Sequence, residues 1–527
     1  MHHSISASST SHPLSVPDLD STTDTTQVDD LAACRNGARS SEHETSNGVG
    51  KAAGVGAQTH ANGNAVAEAS FDTKNHSNGD APYASELDSG DTPRLGELLR
   101  ALESRAATVG VLGMGYVGLP LSVAFAEAGF ATVGFDTKID TVAALQRGES
   151  HIDDVQSERV GSLRVAEKFR ATSDFSDLAR CDVAIICVPT PLTANRDPDL
   201  SMVRAAVSAV AASLRAGQLV VLESTTYPGT TDEVVRPILE ANGLVAGRDF
   251  FLAFSPERID PGNEKYPFER VPKVVGGHTP ACCRAAQTLY GLVVDETVPV
   301  SSTRAAELTK LLENIFRSVN IALVNEMALL CDRMQIDIWE VIDAAATKPY
   351  GFTKFNPGPG LGGHCIPIDP FYLAWKARQY DFQTNFIELA GDVNRAMPHF
   401  VIEKITRALN DERKSVRGAR IAILGMSYKP NVGDCRESPS LRVSELLLEM
   451  GAEISYHDPH VASARIGERT FTSQSLDEIV ANSDCVVLLT DHRDYDFDKI
   501  ASQAHLIVDT RNAFKNVHAP HARIVKL

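Results

Sequence analysis

The chain has 527 residues, 43% hydrophobic and 22% charged, with a formal net charge of −18. That length suits about three domains with sizeable cores, and the acidic balance argues against a basic nucleic-acid footprint. No apolar run reaches the roughly 18 residues that a membrane span needs, so none is expected.

Residues 1–95 are rich in Ser, Thr, Gly, Ala, Asn, His and Asp, with 13 acidic and 5 basic side chains. Such a segment cannot bury enough apolar surface to offset its ordering entropy, so a disordered acidic tail is expected. A partner-binding tail is the rival reading. No apolar h-region opens the chain, so no secretory signal is expected and a cytoplasmic location follows. The nine cysteines are scattered, odd in number and without a CxxC pair, which fits reduced thiols better than a disulfide scaffold.

A short helix is expected over Thr92–Arg105. From Ala107 onward, strand-like runs alternate with helical ones: TVGVLG, YVGLPLSVAFAEAG and FATVGFD, then residues 183–191, 219–224 and 250–257. This alternation predicts a parallel sheet with crossover helices, forming an N-terminal domain over 96–301. Within it, Gly113-Met-Gly115-Tyr116-Val117-Gly118 follows a strand and opens a helix, the context in which this motif binds a dinucleotide. The first glycine permits the turn, the second admits pyrophosphate, and the third packs helix on strand. Asp136 ends the next strand, 23 residues after Gly113, where a carboxylate meets the adenosine ribose diol. That acid favours NAD, although Lys138 keeps NADP open. The rival reading is a Gly-rich turn that binds nothing. Thr190, in VPTP, stands where a strand edge could reach the cofactor, or in an ordinary Pro-bounded loop. Glu257, in FSPERIDPG, suits general-base work at a strand edge, with a surface turn as the alternative.

Ser302–Met334 has neither Pro nor Gly and predicts one long helix, the start of a central helical region over 302–410. Its Glu307, Lys310 and Asn314 share one face by spacing, and Lys310 and Asn314 could point at one reacting oxygen. Charged helix residues usually form a solvated face. The loop NPGPGLGGHCIPIDP follows at 356–370, with Gly358, Gly360, Gly362 and Gly363 ahead of Cys365. Such a frame brings backbone N–H groups to an anion and can expose a nucleophilic thiolate. A lone cysteine is otherwise a small buried apolar residue. His364 could tune the thiol, and Asp369 lies close enough to orient water or a cation. A second alternation starts at Ala419, with strand then turn expected over 419–430 and further strands at 452–458, 485–490 and 506–510, in a C-terminal domain over 411–527. Its turn GMSYKP begins like GMGYVG and then diverges. The fold class expected is α/β: two Rossmann-like doubly wound domains joined by a central helical region with one long helix.

GMGYVGLP, VPTP, ESTTYPGTT, SPER, ELTKLLEN, NPGPGLGGHCIPIDP, YKPNVGDCRESP and DTRN occur in that order. The set resembles the UDP-glucose/GDP-mannose dehydrogenase family of nucleotide-sugar dehydrogenases over roughly residues 105–527. The resemblance implies an NAD-binding domain, a central dimerisation region and a UDP-binding domain, with a homodimer as the assembly and no metal. It implies oxidation of a sugar C6 hydroxymethyl to a carboxylate with two NAD reduced, through a cysteine thiohemiacetal and thioester. Matched residue by residue, Cys365 is the nucleophile and Lys310 stabilises oxyanions. Asn314 holds substrate and water, and Asp369 orients water at the thiol. Glu257 serves thioester hydrolysis, with Thr225 near the same water. Arg436 joins the glycines, Tyr116, Val117, Asp136, Lys138 and Thr190 at the cofactor. Lys429, Arg511, Phe355 and the glycines of 358–362 line the UDP-sugar. GGHCIPIDPFYL resembles the branch that acts on UDP-N-acetylhexosamines, and the Pro after Ile366 points to UDP-N-acetylglucosamine. UDP-N-acetylmannosamine and UDP-glucose are the alternatives. A two-electron hydroxyacid dehydrogenase would need neither Cys365 nor the second domain, and a non-catalytic nucleotide sensor would need neither Cys365 nor Lys310.

Overall fold

The structure is a computed structural model that describes residues 92–527 apart from Asp153, Ala194, 259–264, His364 and Ala519. The expectations for residues 1–91 and for His364 lie outside the described residues. A helix runs over Pro93–Glu103, with the Thr92 side chain accepting from Leu95 N.

The first sheet is built from β1 (Thr108–Leu112), β2 (Ala131–Phe135), β3 (Phe169–Thr172), β4 (Val183–Ile186), β5 (Leu219–Leu222), β6 (Phe251–Phe254), β7 (Lys273–Gly277) and β8 (Thr297–Val300), in the order β3-β2-β1-β4-β5-β6-β7-β8. The central strands are apolar throughout because helices cover both faces; VAII, LVVL and FLAF are buried at every position. The order reverses between β1 and β4, which opens a ligand crevice beyond their carboxyl ends. One feature departs from the all-parallel expectation: β7 runs antiparallel to β6, pairing Ala253 with Gly277. Among the described residues of the β6–β7 connection, the 3-10 turn Phe268–Arg270 is the regular element, and no crossover helix turns the chain round for a parallel return.

A single helix spans Thr303–Met334, capped by the Ser302 hydroxyl accepting from Ala305 N and ended by Gln335 in the left-handed region. A second long helix, Asn385–Asp411, packs along it. Their seam is polar in part: Asn325 Nδ2 donates to Asn394 Oδ1 at 2.9 Å, and Asn394 Nδ2 to Ser318 O at 3.1 Å. The last sheet is wholly parallel and contains β9 (Arg420–Leu424), β10 (Glu453–His457), β13 (Cys485–Leu488), β14 (Leu506–Asp509) and β15 (Arg523–Lys526), ordered β10-β9-β13-β14-β15. The hairpin of β11 (Ser463–Ile466) and β12 (Arg469–Thr472) stands apart from it.

Candidate active site

The turn after β1 has the shape that its glycines predict. Gly113 has φ +94°, and a Cβ on Gly118 would stand 1.8 Å from Gly113 O, so strand and helix meet through glycine alone. A Cβ on Gly115 would meet no atom within 4 Å, so the backbone there faces open space. Val117 precedes the helix Gly118–Glu127, whose N-terminal N–H groups face the crevice edge. Asp136 accepts Met114 N and Lys138 N, each at 2.8 Å, which locks the carboxylate beside the turn. Each of its oxygens has a further lone pair for a ribose hydroxyl. A glycine cradle open on one side with a fixed acid beside it fits a dinucleotide. Lys138 itself is exposed.

Three regions of the chain converge on the thiol. The helix Asp369–Arg378 follows Cys365 directly, and Asp369 N donates to Cys365 O at 2.8 Å. Asp369, buried, accepts Asn314 Nδ2 at 2.5 Å, so the long helix holds this carboxylate. Burial pushes Asp369 up to about 6, against the pull of Lys310 and the Asn314 hydrogen bond. Burial and Asp369 push the Cys365 thiol up to about 11, while Lys310, Arg436 and Arg317 act to lower it. Lys310 and Asn314, both buried, therefore share a field with the thiol and the aspartate. Tyr372, on the helix after Asp369, donates to Thr190 O at 3.0 Å, which ties the β4 loop to the same place.

The C-terminal domain supplies the third wall. Gly363 N donates to Arg436 O at 3.1 Å, and Gly362 packs so closely on Tyr428 that a Cβ would lie 2.6 Å from Tyr428 Cβ. Lys429 follows Tyr428. The Arg436 guanidinium stands 5.0 Å from the Tyr116 ring, bridging this C-terminal loop to the glycine turn after β1. Arg511 is half-buried; it donates to Leu489 O at 2.7 Å and leaves only 2.7 Å to a Cβ built on Gly358. Gly358 N in turn donates to Asn325 Oδ1 at 3.0 Å, and Gly360 sits at φ +136° against Pro439. Phe355 packs edge-on to Phe316 and against the Trp339 cluster.

One expected neighbour is placed differently. Glu307 shares a helix face with Lys310 by spacing, yet it is fully buried under another turn and accepts Gly229 N, Thr231 N and Thr231 Oγ1. Its role is to hold the PGTT segment after β5. Glu257 is buried just beyond β6, where its Oε2 meets Lys273 Nζ at 3.2 Å and its Oε1 accepts Arg258 N at 2.6 Å. Arg258 pairs with Glu313 at 2.8 Å, which lays the Glu257 loop beside the long helix one residue from Asn314. Thr225 is half-buried after β5. Sequence reasoning missed Glu223, Lys273, Asn325 and Arg317. Lys273 did carry a signal, as a charge opening the otherwise apolar strand KVVGG. Among the described residues no group of three metal-ligating side chains occurs, and no helix is long and apolar enough to cross a membrane.

Three domain models of one family match the chain in order. The UDP-glucose/GDP-mannose dehydrogenase family's NAD binding domain matches residues 107–294, its central domain 304–396 and its UDP binding domain 422–516. The chain is 35% identical over 413 residues to a UDP-N-acetyl-D-mannosamine dehydrogenase of Pyrococcus horikoshii, covering 77% of this chain and 96% of that protein. It is 36% identical over 357 residues to a UDP-N-acetyl-D-glucosamine 6-dehydrogenase of Pseudomonas aeruginosa, covering 67% and 83%. The solved UDP-D-ManNAc dehydrogenase from P. horikoshii superposes with a TM-score of 0.73 at 33% identity, over 80% of this chain and 98% of that one.

Proposed function

The chain belongs to the UDP-glucose/GDP-mannose dehydrogenase family, and from that premise we propose that it oxidises C6 of UDP-N-acetylglucosamine to the uronate, a precursor for surface polysaccharide. It is an NAD-dependent nucleotide-sugar dehydrogenase. NAD, when bound, accepts hydride. The glycine turn, Asp136 and Arg436 bind and orient it, and Lys138 and Thr190 line its edge.

The observation that carries the reading is the meeting of Cys365 with the Asn314–Asp369 pair, under the field of Lys310 and against the Tyr428–Arg436 loop. A thiol pushed up to about 11 is protonated at rest and must lose that proton before it attacks. Lys310 steadies the alkoxide left when the C6 hydroxyl gives up its proton, and that alkoxide becomes the aldehyde as hydride passes to the nicotinamide. The Cys365 thiolate then bonds the aldehyde carbon, giving a thiohemiacetal and, after the second hydride leaves, a thioester. Asn314 and Asp369 hold the water, and Glu257, with Thr225 beside it, draws a proton from it. Lys429 and Arg511 meet the diphosphate and sugar hydroxyls, along a loop formed by Phe355, Gly358, Gly360 and Gly362.

The sugar is assigned from GGHCIPIDPFYL. UDP-N-acetylmannosamine is the second reading, favoured by the longer matched length in the P. horikoshii protein. A homodimer in the cytoplasm completes the proposal. The support for the dimer is the apolar stripe that the long helix leaves open, with Leu312 62%, Leu323 55% and Met334 57% exposed.

The test is NADH formation with NAD and, separately, UDP-N-acetylglucosamine, UDP-N-acetylmannosamine, UDP-glucose and GDP-mannose. The expected result is the highest kcat/KM with UDP-N-acetylglucosamine. A higher value with UDP-N-acetylmannosamine replaces the sugar, and no reaction with any of the four removes the proposal.

A further inference from the structure

Lys273 opens β7 with its side chain 3% exposed, and its Nζ lies 3.0 Å from Glu223 Oε2 and 3.2 Å from Glu257 Oε2. Glu223, just past the end of β5, is enclosed and accepts the Tyr290 hydroxyl. One ammonium therefore serves two carboxylates, with a phenol closing the far end. Cys187 at the end of β4 also lies within this field, and the Phe268 and Tyr290 rings stand 5.7 and 5.2 Å from Nζ. Burial pushes Glu223 up to about 7, against the attraction of Lys273.

Withdrawing each ion from water is costly, and such clusters are weak evidence of stability. An apolar floor would serve the sheet as well. The cluster instead sits at the carboxyl ends of β5 and β6, the edge where open α/β sheets take ligands. Its two ends differ. The Glu223 end is closed by Tyr290, inside the main core. The Glu257 end meets the long helix through the Arg258–Glu313 pair.

We propose that Glu223 and Lys273 are positioning residues for Glu257. The shared ammonium fixes the Glu257 carboxylate in place, and Glu223 takes up part of its charge, so Glu257 stays basic enough to accept a proton. This inference rests on the reading of Glu257 as the base of thioester hydrolysis. In that step the water oxygen bonds the acyl carbon while one proton passes to Glu257. The C–S bond breaks with its electron pair leaving on Cys365. The second water proton goes to that thiolate, and the proton on Glu257 returns to solvent.

Glu223→Gln keeps the size and the hydrogen bond to Lys273 but removes the charge. Lys273 then falls on Glu257 alone and weakens it as a base. The expected result is a burst of two NADH per site, an acyl adduct on Cys365 visible by intact mass, and steady-state uronate formation slowed about tenfold. A purely structural role lowers the melting temperature without an adduct. Wild-type turnover with no adduct overturns the proposal. If Glu223→Gln does not fold, Glu223→Asp draws the charge one methylene away and gives a smaller effect of the same sign; an Asp variant without adduct overturns the proposal equally. Glu257→Gln separates the two layers. An adduct there but not in Glu223→Gln defeats this inference alone, whereas turnover without adduct in Glu257→Gln defeats the reading of Glu257 and this inference with it.

Discussion

The turns after β1 and β9 start alike and end as opposites. Each opens on a glycine in the left-handed region, Gly113 at φ +94° and Gly425 at φ +86°. In each, the next residue donates its N–H to an aspartate ending the neighbouring strand: Met114 to Asp136 at 2.8 Å, Met426 to Asp458 at 2.6 Å. The third position divides them. Gly115 faces open space, whereas Ser427 is buried, with its hydroxyl on Lys429 O and His492 Nε2. His492, fully enclosed in the crevice after β13, also meets Asp458 at 3.1 Å and accepts Asn431 N at 3.1 Å. The second crevice is filled by the chain's own side chains, and the turn becomes a rigid support for Lys429 and the loop that carries Arg436. Strand order and a first glycine make the scaffold; what stands at the third position and beyond the fourth strand decides whether a dinucleotide enters.

Closing the open turn is the strongest way to break this contrast. Gly115→Val has room for its Cβ, so the fold should hold, but the branched side chain fills the space that pyrophosphate needs. NAD affinity measured by calorimetry should fall more than about 100-fold, which is roughly 2.7 kcal/mol. Unchanged affinity would place the cofactor elsewhere.

Emptying the filled turn of its polar contacts comes next. His492→Phe keeps the bulk and strands Ser427, Asn431 N and Asp458, at a cost of about 2–4 kcal/mol in unfolding. The KM for the UDP-sugar should rise several-fold as Lys429 loses its support, while NAD affinity stays put. A pH signature accompanies this. Burial acts to raise Asp458, but His492 and the backbone N–H groups prevail and hold it at about 2. A carboxylate depressed in the folded state contributes stability above its unfolded pKa and loses it as pH falls toward 2. His492→Phe should therefore move the acid-unfolding midpoint to higher pH, and an unmoved midpoint would deny His492 this role.

The smallest effect is the sharpest test of what a glycine alone can do. Ser427→Gly restores the glycine of the first turn, yet His492 still fills the crevice. NAD binding should remain at one per chain. A second equivalent would show that the third position by itself decides entry.

Periodicity made much of this legible. The long helix was expected over Ser302–Met334 and runs over Thr303–Met334, because nothing in it breaks a helix. GMGYVG was legible as a site because strand, turn and helix are contiguous in sequence. The rest depends on distant partners. Glu223 and Lys273 are fifty residues apart, and their pairing follows from β7 turning back against β6, which local pattern does not reveal. Glu307 shows the limit of helical spacing: it shares a face with Lys310, but one turn closer to the helix start that face meets the PGTT segment instead of the thiol loop. His492 lies 65 residues from Ser427, so no reading of GMSYKP alone could show what fills it.

The central claim is a four-electron oxidation run through one dinucleotide site and one thiol. The most direct measurement is the ratio of NADH to UDP-uronate formed at completion by purified protein with excess NAD. The account predicts two NADH per uronate, with Cys365→Ser forming almost no uronate while still binding NAD. One NADH per product, with the aldehyde as the end point, or full uronate yield from Cys365→Ser would contradict it.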